Sequence, residues 1–245
     1  MNEEVLRGGN SSTVVRIGNK VHRNVGPWTP TIHKLLSYLR EQGINEVPEP
    51  FGFDEQGREV LSFIEGDVGN YPLPDWLWSH NLLYESFALM RRVHDATNIA
   101  EFKNAIWQHP IHEPQEVICH NDFAPYNMVF KDDHVVGMID FDTASPGPRI
   151  HDFSYLAYRL IPFGEDAGEG APSMDARMER LASAIKSYGM NFTIREVLFT
   201  MATRLKDLAE SSDEQSKRTG QLELAEHAAM YRRDAERVQV LANGQ

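Results

Sequence analysis

The chain predicts an α+β fold, with a small β-rich N-terminal part and a larger, mainly helical C-terminal part. Three observations predict it. Strand-like runs crowd residues 1–65, apolar residues at helical spacing dominate beyond residue 75, and a single hairpin pattern interrupts the helical half at 117–139. At 245 residues and 41% hydrophobic, the chain can bury one core or two lobes around a cleft, and its charged fraction is ordinary for a globular protein.

In chain order, Leu6-Arg7-Gly8-Gly9-Asn10-Ser11-Ser12-Thr13 precedes two strands, Val14–Ile17 and Lys20–Arg23, joined by a Gly18-Asn19 turn. Glycines and serines before a strand let backbone N–H groups approach phosphate closely, and the same residues are also plain turn chemistry. A helix follows over 31–42, with Ile32, Leu35, Leu36 and Leu39 on one face and Gly43 as its stop. Turn residues around Pro48, Pro50 and Gly57 lead to a strand over 59–64 that runs into Glu65-Gly66-Asp67. Asp75 is placed to cap a helix running to about Asp95, with Leu82, Leu83, Phe87, Met90 and Val93 as its core face and Trp76 and Trp78 packed at its start. Beyond the hairpin, helices are expected over 152–161 and around Met178, Leu181, Ile185 and Tyr188. Thr193-Ile194-Arg195-Glu196 forms a capping box for a helix through about Glu210, polar residues 211–220 read as a linker, and a last helix covers 221–242.

Residues 117–142 carry the chemistry. An apolar run, Val117–Cys119, leads into a polar loop, and two strand-like runs, 128–130 and 135–139, meet at Lys131-Asp132-Asp133. The hairpin brings His120, Asp122 and Asn127 to the same place as Asp140 and Asp142. Phosphoryl transfer from a nucleotide needs a carboxylate near the acceptor hydroxyl, oxygen ligands for magnesium and little covalent chemistry from the protein. Asp122, Asn127 and Asp140 are such groups, and their oxygens suit Mg2+ where zinc would want more His or Cys. Asp132-Asp133 alone is a solvated turn, whereas the other groups are flanked by apolar strands that would hold them at a core edge. His120-x-Asp122, followed five residues after the Asp by Asn127, matches the spacing of the kinase catalytic loop.

Residues 117–153 closely resemble the aminoglycoside phosphotransferase and choline kinase group, which shares a protein-kinase-like fold. The resemblance lies in His120-Asn121-Asp122-Phe123-Ala124-Pro125-Tyr126-Asn127 and Ile139-Asp140-Phe141-Asp142. It implies two lobes, with 1–65 a nucleotide-binding lobe ending in a hinge and 66–245 a helical lobe carrying the catalytic loop, metal motif and acceptor site. It further implies Asp122 as catalytic base with His120 ordering the catalytic loop, and Asn127, Asp140 and Asp142 as magnesium ligands. Asp152 would be a structural carboxylate under that loop. Nucleotide contacts are implied at Gly8, Gly9, Ser11, Ser12 and Arg23, and at the hinge residues Phe63, Ile64 and Glu65. In the family a strand lysine touches phosphate and pairs with a glutamate on the next helix; here Arg23 holds the first position, and Ile32 or His33 the second. Arginine grips phosphate through a planar fork, but it is not interchangeable with lysine, and without a carboxylate partner it is expected to be less restrained.

The implied activity is transfer of the γ-phosphate of ATP or GTP to a hydroxyl of a small molecule, with an aminoglycoside or other antibiotic among the candidates. The alternatives are a catalytically weak kinase-like binding or immunity protein and, below it, a magnesium-dependent hydrolase using His120, Asp122, Asp140 and Asp142. A net charge of −12 argues against nucleic acid as a partner and leaves a cationic acceptor open. Glu165, Asp166, Glu169, Asp175 and Glu179 read equally as a lure for amines and as a solvated loop. The acidic start Met1-Asn2-Glu3-Glu4 and the absence of any run near the ~18 apolar residues of a span exclude a membrane partner and point to the cytoplasm. Cys119 is the single cysteine, so no intramolecular disulfide is available, and it reads as a buried thiol rather than a nucleophile.

Overall fold

Short strand-forming runs near the N-terminus assemble an antiparallel sheet because a lone strand leaves its backbone polar groups unpaired. The computed structural model describes residues 3–6, 14–167 and 170–245. Gly8, Gly9, Ser11 and Ser12 therefore lie outside the described residues. Five strands, β1 (Glu3–Leu6), β2 (Val14–Ile17), β3 (Lys20–Arg23), β4 (Pro50–Phe53) and β5 (Glu59–Ser62), lie in the order β1-β2-β3-β5-β4. Helix α1 (Thr29–Glu41) buries Ile32, Leu35, Leu36 and Leu39, the face expected from their spacing. It starts two residues earlier than the sequence suggested, with Pro30 in its first turn, where a missing N–H costs nothing.

After β5 the chain forms β6 (Asp67–Val68), which pairs with β8 (Met128–Lys131), itself paired with β9 (His134–Met138). Asp132 and Asp133 both adopt positive φ, 52° and 60°, the geometry of a two-residue hairpin turn whose twist matches the strands. Strand β7 (Val117–Cys119) pairs antiparallel with β10 (Ser145–Gly147), and the two flank the loop and hairpin between them. Gly66 at φ 155° passes so close to β8 that a Cβ there would meet the Phe130 carbonyl oxygen at 2.5 Å and Val129 Cγ1 at 2.7 Å. Gly66→Ala is expected to destabilise the protein by about 1–3 kcal/mol, read by chemical denaturation, since backbone cannot yield as a flexible side chain would.

The chain divides into two compact units. The first comprises residues 1–71 and 89–149 and contains, among the described residues, the three sheets and α1. The second comprises 72–88 and 150–245 and is helical. Helix α2 (His80–Ala96) begins in the second and ends in the first. It starts behind Ser79, whose hydroxyl accepts from the Asn81 and Leu82 amides, and Asp75 instead opens a short 3-10 turn over Asp75–Trp78. The expected cap at Asp75 is thus replaced by Ser79, because Pro74 sets up a separate turn before it. In that turn Leu77 is buried while Trp76 is 41% exposed, so the tryptophan expected to pack there does so only in part.

The second unit holds α3 (Arg149–Leu160), α4 (Met174–Tyr188), α5 (Ile194–Thr219) and α6 (Leu222–Asn243). Phe153 is fully buried in it, with ring centroids of Phe87, Tyr188 and Phe192 at 4.7, 5.3 and 5.4 Å. Thr193 and Glu196 form the expected capping box. The stretch 211–220 is not a linker: α5 continues to Thr219 and stops at Gly220, whose φ of 75° permits the left-handed C-terminal geometry. Polar residues stay helical there because α5 and α6 run as a hairpin and Arg232 of α6 pairs with Asp213 of α5. Among the described residues no helix is long and apolar enough to cross a membrane.

Candidate active site

Backbone bonds, rather than side chains alone, hold the segment 117–142 together. His120 is buried; its Nδ1 accepts from the Asp122 amide at 3.3 Å and its Nε2 donates to the Ile139 carbonyl at 3.0 Å. That pattern selects the neutral ring with the proton on Nε2. Ile139 in turn donates its amide to the Asn127 carbonyl at 2.9 Å. The residue before Asp140 is therefore pinned by both of its backbone groups to the loop that carries Asp122 and Asn127.

Asp122 is half-buried and accepts a hydrogen bond on each oxygen. Tyr126 donates its hydroxyl to Oδ1 at 2.6 Å, and Asn127 donates Nδ2 to Oδ2 at 2.9 Å and to the Asp122 carbonyl at 3.0 Å. With Nδ2 so committed, Oδ1 is the Asn127 atom left for a cation. Asn121 sits at φ 64° and is held there by its side-chain amide, which donates to the Thr143 carbonyl at 2.9 Å and to Ser145 Oγ at 2.8 Å. Asp140, also non-glycine, adopts φ 64° and ψ 63°. Left-handed backbone at two polar residues of one site is the strain that surrounding bonds must over-determine.

Arg23 joins the second half of the cluster. It is 8% exposed and sits at the end of β3, directly opposite Glu59 of β5 in the antiparallel register. Its Nη1 donates to Asp140 Oδ1 at 2.8 Å and its Nη2 to Asp142 Oδ1 at 2.6 Å, while Nε forms an ion pair with Glu59 Oε1. The other Glu59 oxygen meets His33 Nε2 at 2.9 Å. The expectation that Arg23 lacks a carboxylate partner is thus corrected: the partner comes from a strand instead of the helix, and His33 on the helix reaches the same carboxylate. Burial opposes the Arg23 charge, but Asp142, Glu59 and Asp140 outweigh it and hold the guanidinium above its ordinary pKa. Burial pushes the Asp142 carboxyl up, Arg23 pulls it back, and neighbouring Asp140 and Glu59 add to the rise.

The hinge candidates link the sheet to the hairpin. Phe63 donates its amide to the Asn19 carbonyl at 2.8 Å and carries the Arg16 guanidinium 3.8 Å above its ring. Ile64 lies over Gly137, where a Cβ would approach Ile64 Cγ2 to 2.8 Å, and Glu65 is exposed beside Lys131 at 3.7 Å. The structure thus brings Arg23, Asp140 and Asp142 into direct contact and joins His120, Asp122 and Asn127 by bonds, while Glu65 faces solvent. Reasoning from the sequence missed Tyr126 and Glu59. A tyrosine inside the His120 to Asn127 loop, and an acid opposite Arg23 once β3 and β5 are paired, were the available signals.

In the helical unit two members of the acidic stretch, Glu165 and Asp166, are paired with arginines, while Glu169 lies outside the described residues. Glu165 accepts from Arg233 Nε at 3.0 Å, and Asp166 pairs with Arg159 at 3.3 Å. A cavity of about 540 Å3 beside it is walled by Phe163, Met174 and Val238, with Arg177 and Arg237 as its basic residues. Glu165 and Asp166 therefore do not form the uncompensated negative patch that would draw amines. Asp152 is fully buried, as a structural carboxylate would be.

The fold is that of the kinase-like proteins. The structure of the Plasmodium vivax ethanolamine kinase is similar with a TM-score of 0.67 at 13% identity, covering 96% of this chain and 81% of that one. An amicoumacin kinase bound to AMP-PNP, Ca2+ and its ligand is similar with a TM-score of 0.69 at 15% identity, covering 97% and 87%. A model of the phosphotransferase enzyme family matches residues 72–182. The chain is also 37% identical over 206 residues to the trifolitoxin immunity protein of Rhizobium leguminosarum bv. trifolii, covering 78% of this chain and 76% of that protein. The chain belongs to the phosphotransferase enzyme family.

Proposed function

We propose that the protein moves the γ-phosphate of ATP or GTP to a hydroxyl of a small molecule, with Asp122 orienting that hydroxyl and receiving its proton. The observation that carries this reading is the Asp122–Asn127 pair, tied through Ile139 to the segment bearing Asp140 and Asp142. A carboxylate aimed by Tyr126 and Asn127 loses little freedom on receiving an acceptor, which is where positioning lowers the barrier. His120 supports the loop from behind and takes no part as a base, since both its nitrogens are committed to the backbone. Asn127 Oδ1 with the carboxylates of Asp140 and Asp142 is an all-oxygen donor set that fits magnesium. When bound, the ion neutralises charge on the transferred phosphoryl group.

Residues 1–65 would then serve as the nucleotide lobe, with backbone at Gly8, Gly9, Ser11 and Ser12 near phosphate, Arg23 on phosphate and Phe63, Ile64 and Glu65 near the base. Such an activity belongs in the cytoplasm, where the donor is held. An aminoglycoside is one acceptor that the family would admit. A second reading is an immunity protein that inactivates or sequesters a toxin, and the 37% identity to a trifolitoxin immunity protein is the observation that favours it. A screen of hydroxylated small molecules with a γ-labelled donor, with Asp122→Asn as the blank, tests the first reading. Magnesium-dependent label transfer that Asp140→Ala abolishes is the expected result, and full turnover by Asp140→Ala overturns it. Calorimetric nucleotide binding without transfer to any acceptor would favour the second. Hydrolysis of a simple phosphate ester without nucleotide would point to a hydrolase.

A further inference from the structure

We infer that Glu59 is the positioning residue that aims Arg23 at nucleotide phosphate, with His33 bracing Glu59 from the helix; the inference rests on the phosphotransferase reading above. Three observations carry it. The first is register: Arg23 and Glu59 are Cα partners in neighbouring interior strands, so their side chains leave the same face of the sheet side by side. The second is a gradient of burial around one guanidinium. The Glu59 side chain is 1% exposed, whereas those of Asp142 and Asp140 are 28% and 47% exposed. The inner contact at Nε is shielded from water and the outer contacts at Nη1 and Nη2 are open to it.

The third is the division of contacts. A guanidinium is planar, and the buried Glu59 carboxylate lying against its Nε end, paired by charge without a hydrogen bond, limits the directions open to the fork formed by the two Nη atoms. Glu59 holds the Nε end, and the fork faces Asp140 and Asp142, the carboxylates proposed as magnesium ligands. A phosphate arriving with its cation meets a fork already oriented, and the Glu59 contact at Nε need not break for the Nη groups to change partners. A lysine would offer one compact ammonium and could not keep both contacts in one plane. His33 is one of the two helix positions, with Ile32, where the resemblance would place a glutamate, and it meets the other oxygen of the same carboxylate. Its ring is stacked on Phe53 at 5.2 Å, which fixes the direction of its Nε2. The helix is thus connected to the phosphate-binding cation through an intervening strand carboxylate.

The test is a double-mutant cycle on binding of the magnesium complex of a non-hydrolysable ATP analogue, measured by calorimetry. Glu59→Gln is expected to weaken binding about tenfold in the wild-type background but less than about twofold in Arg23→Gln, the coupling expected of residues sharing one ion-pair network. Equal losses in both backgrounds, or no loss in either, overturn the inference. Absence of binding by the wild-type protein overturns the phosphotransferase reading and this inference with it, whereas wild-type binding without coupling overturns this inference alone. Should Glu59→Gln not fold, Glu59→Asp and His33→Gln replace it in the same cycle, with smaller losses that must again vanish in Arg23→Gln. In any acceptor reaction found, Glu59→Asp should raise the nucleotide KM more than it lowers kcat, a split that a general loss of structure does not produce.

Discussion

Asp122→Asn is expected to lower turnover about 100- to 10,000-fold, the usual contribution of a positioned general base, while the fold and nucleotide affinity persist. The local bonds explain why the fold persists. Asn at 122 can turn its carbonyl oxygen to the Asn127 amide and its own amide to the Tyr126 hydroxyl, which accepts as readily as it donates. Hydrogen bonding is conserved and only the capacity to take a proton is lost. Steady-state kinetics with thermal melting as a control measures both parts. A variant that keeps near wild-type kcat would remove Asp122 from the chemistry.

Phe153→Ala is expected to destabilise the helical unit by about 3–5 kcal/mol, the range for deleting a fully buried aromatic ring. Phe153 is wholly buried and touches rings from three other segments, Phe87 on α2, Tyr188 at the end of α4 and Phe192 ahead of α5. Those rings belong to rigid helices or to their ends, so the space cannot close easily around a methyl group. Urea denaturation followed by far-ultraviolet circular dichroism reads the loss. A change below about 1 kcal/mol would mean the neighbouring rings collapse into the space, since surface-like tolerance is otherwise unexpected at such a position.

What the sequence disclosed was local. The hairpin at 128–138, the strands on either side of Gly18-Asn19 and the buried face of α1 follow from periodicity and turn chemistry, and they appear where expected. The cluster of His120, Asp122 and Asn127 was equally legible, because one loop carries all three and the hairpin returns Asp140 to it. Glu59 was not legible as the partner of Arg23, since 35 residues and a helix separate them and only the register of β3 with β5 makes them neighbours. The helical state of residues 211–219 escaped for a related reason. Their composition is that of a solvated segment, and their helicity rests on α6 lying alongside. Ser79 in place of Asp75 shows that a good capping residue only caps when the backbone before it is free of a competing turn.

The pairing of Arg23 with Glu59 also determines which changes of chain length the site can survive. Side chains alternate between faces along a strand, so removing one residue inside β3 ahead of Arg23, or inside β5, would send one of the pair to the opposite face. Residues added in the exposed turn between β4 and β5, over 55–57, leave the pairing of β3 with β5 unaltered. Natural variation in length within this family should therefore accumulate in that connection and be absent from the two strands, and an inserted reporter peptide belongs there for the same reason.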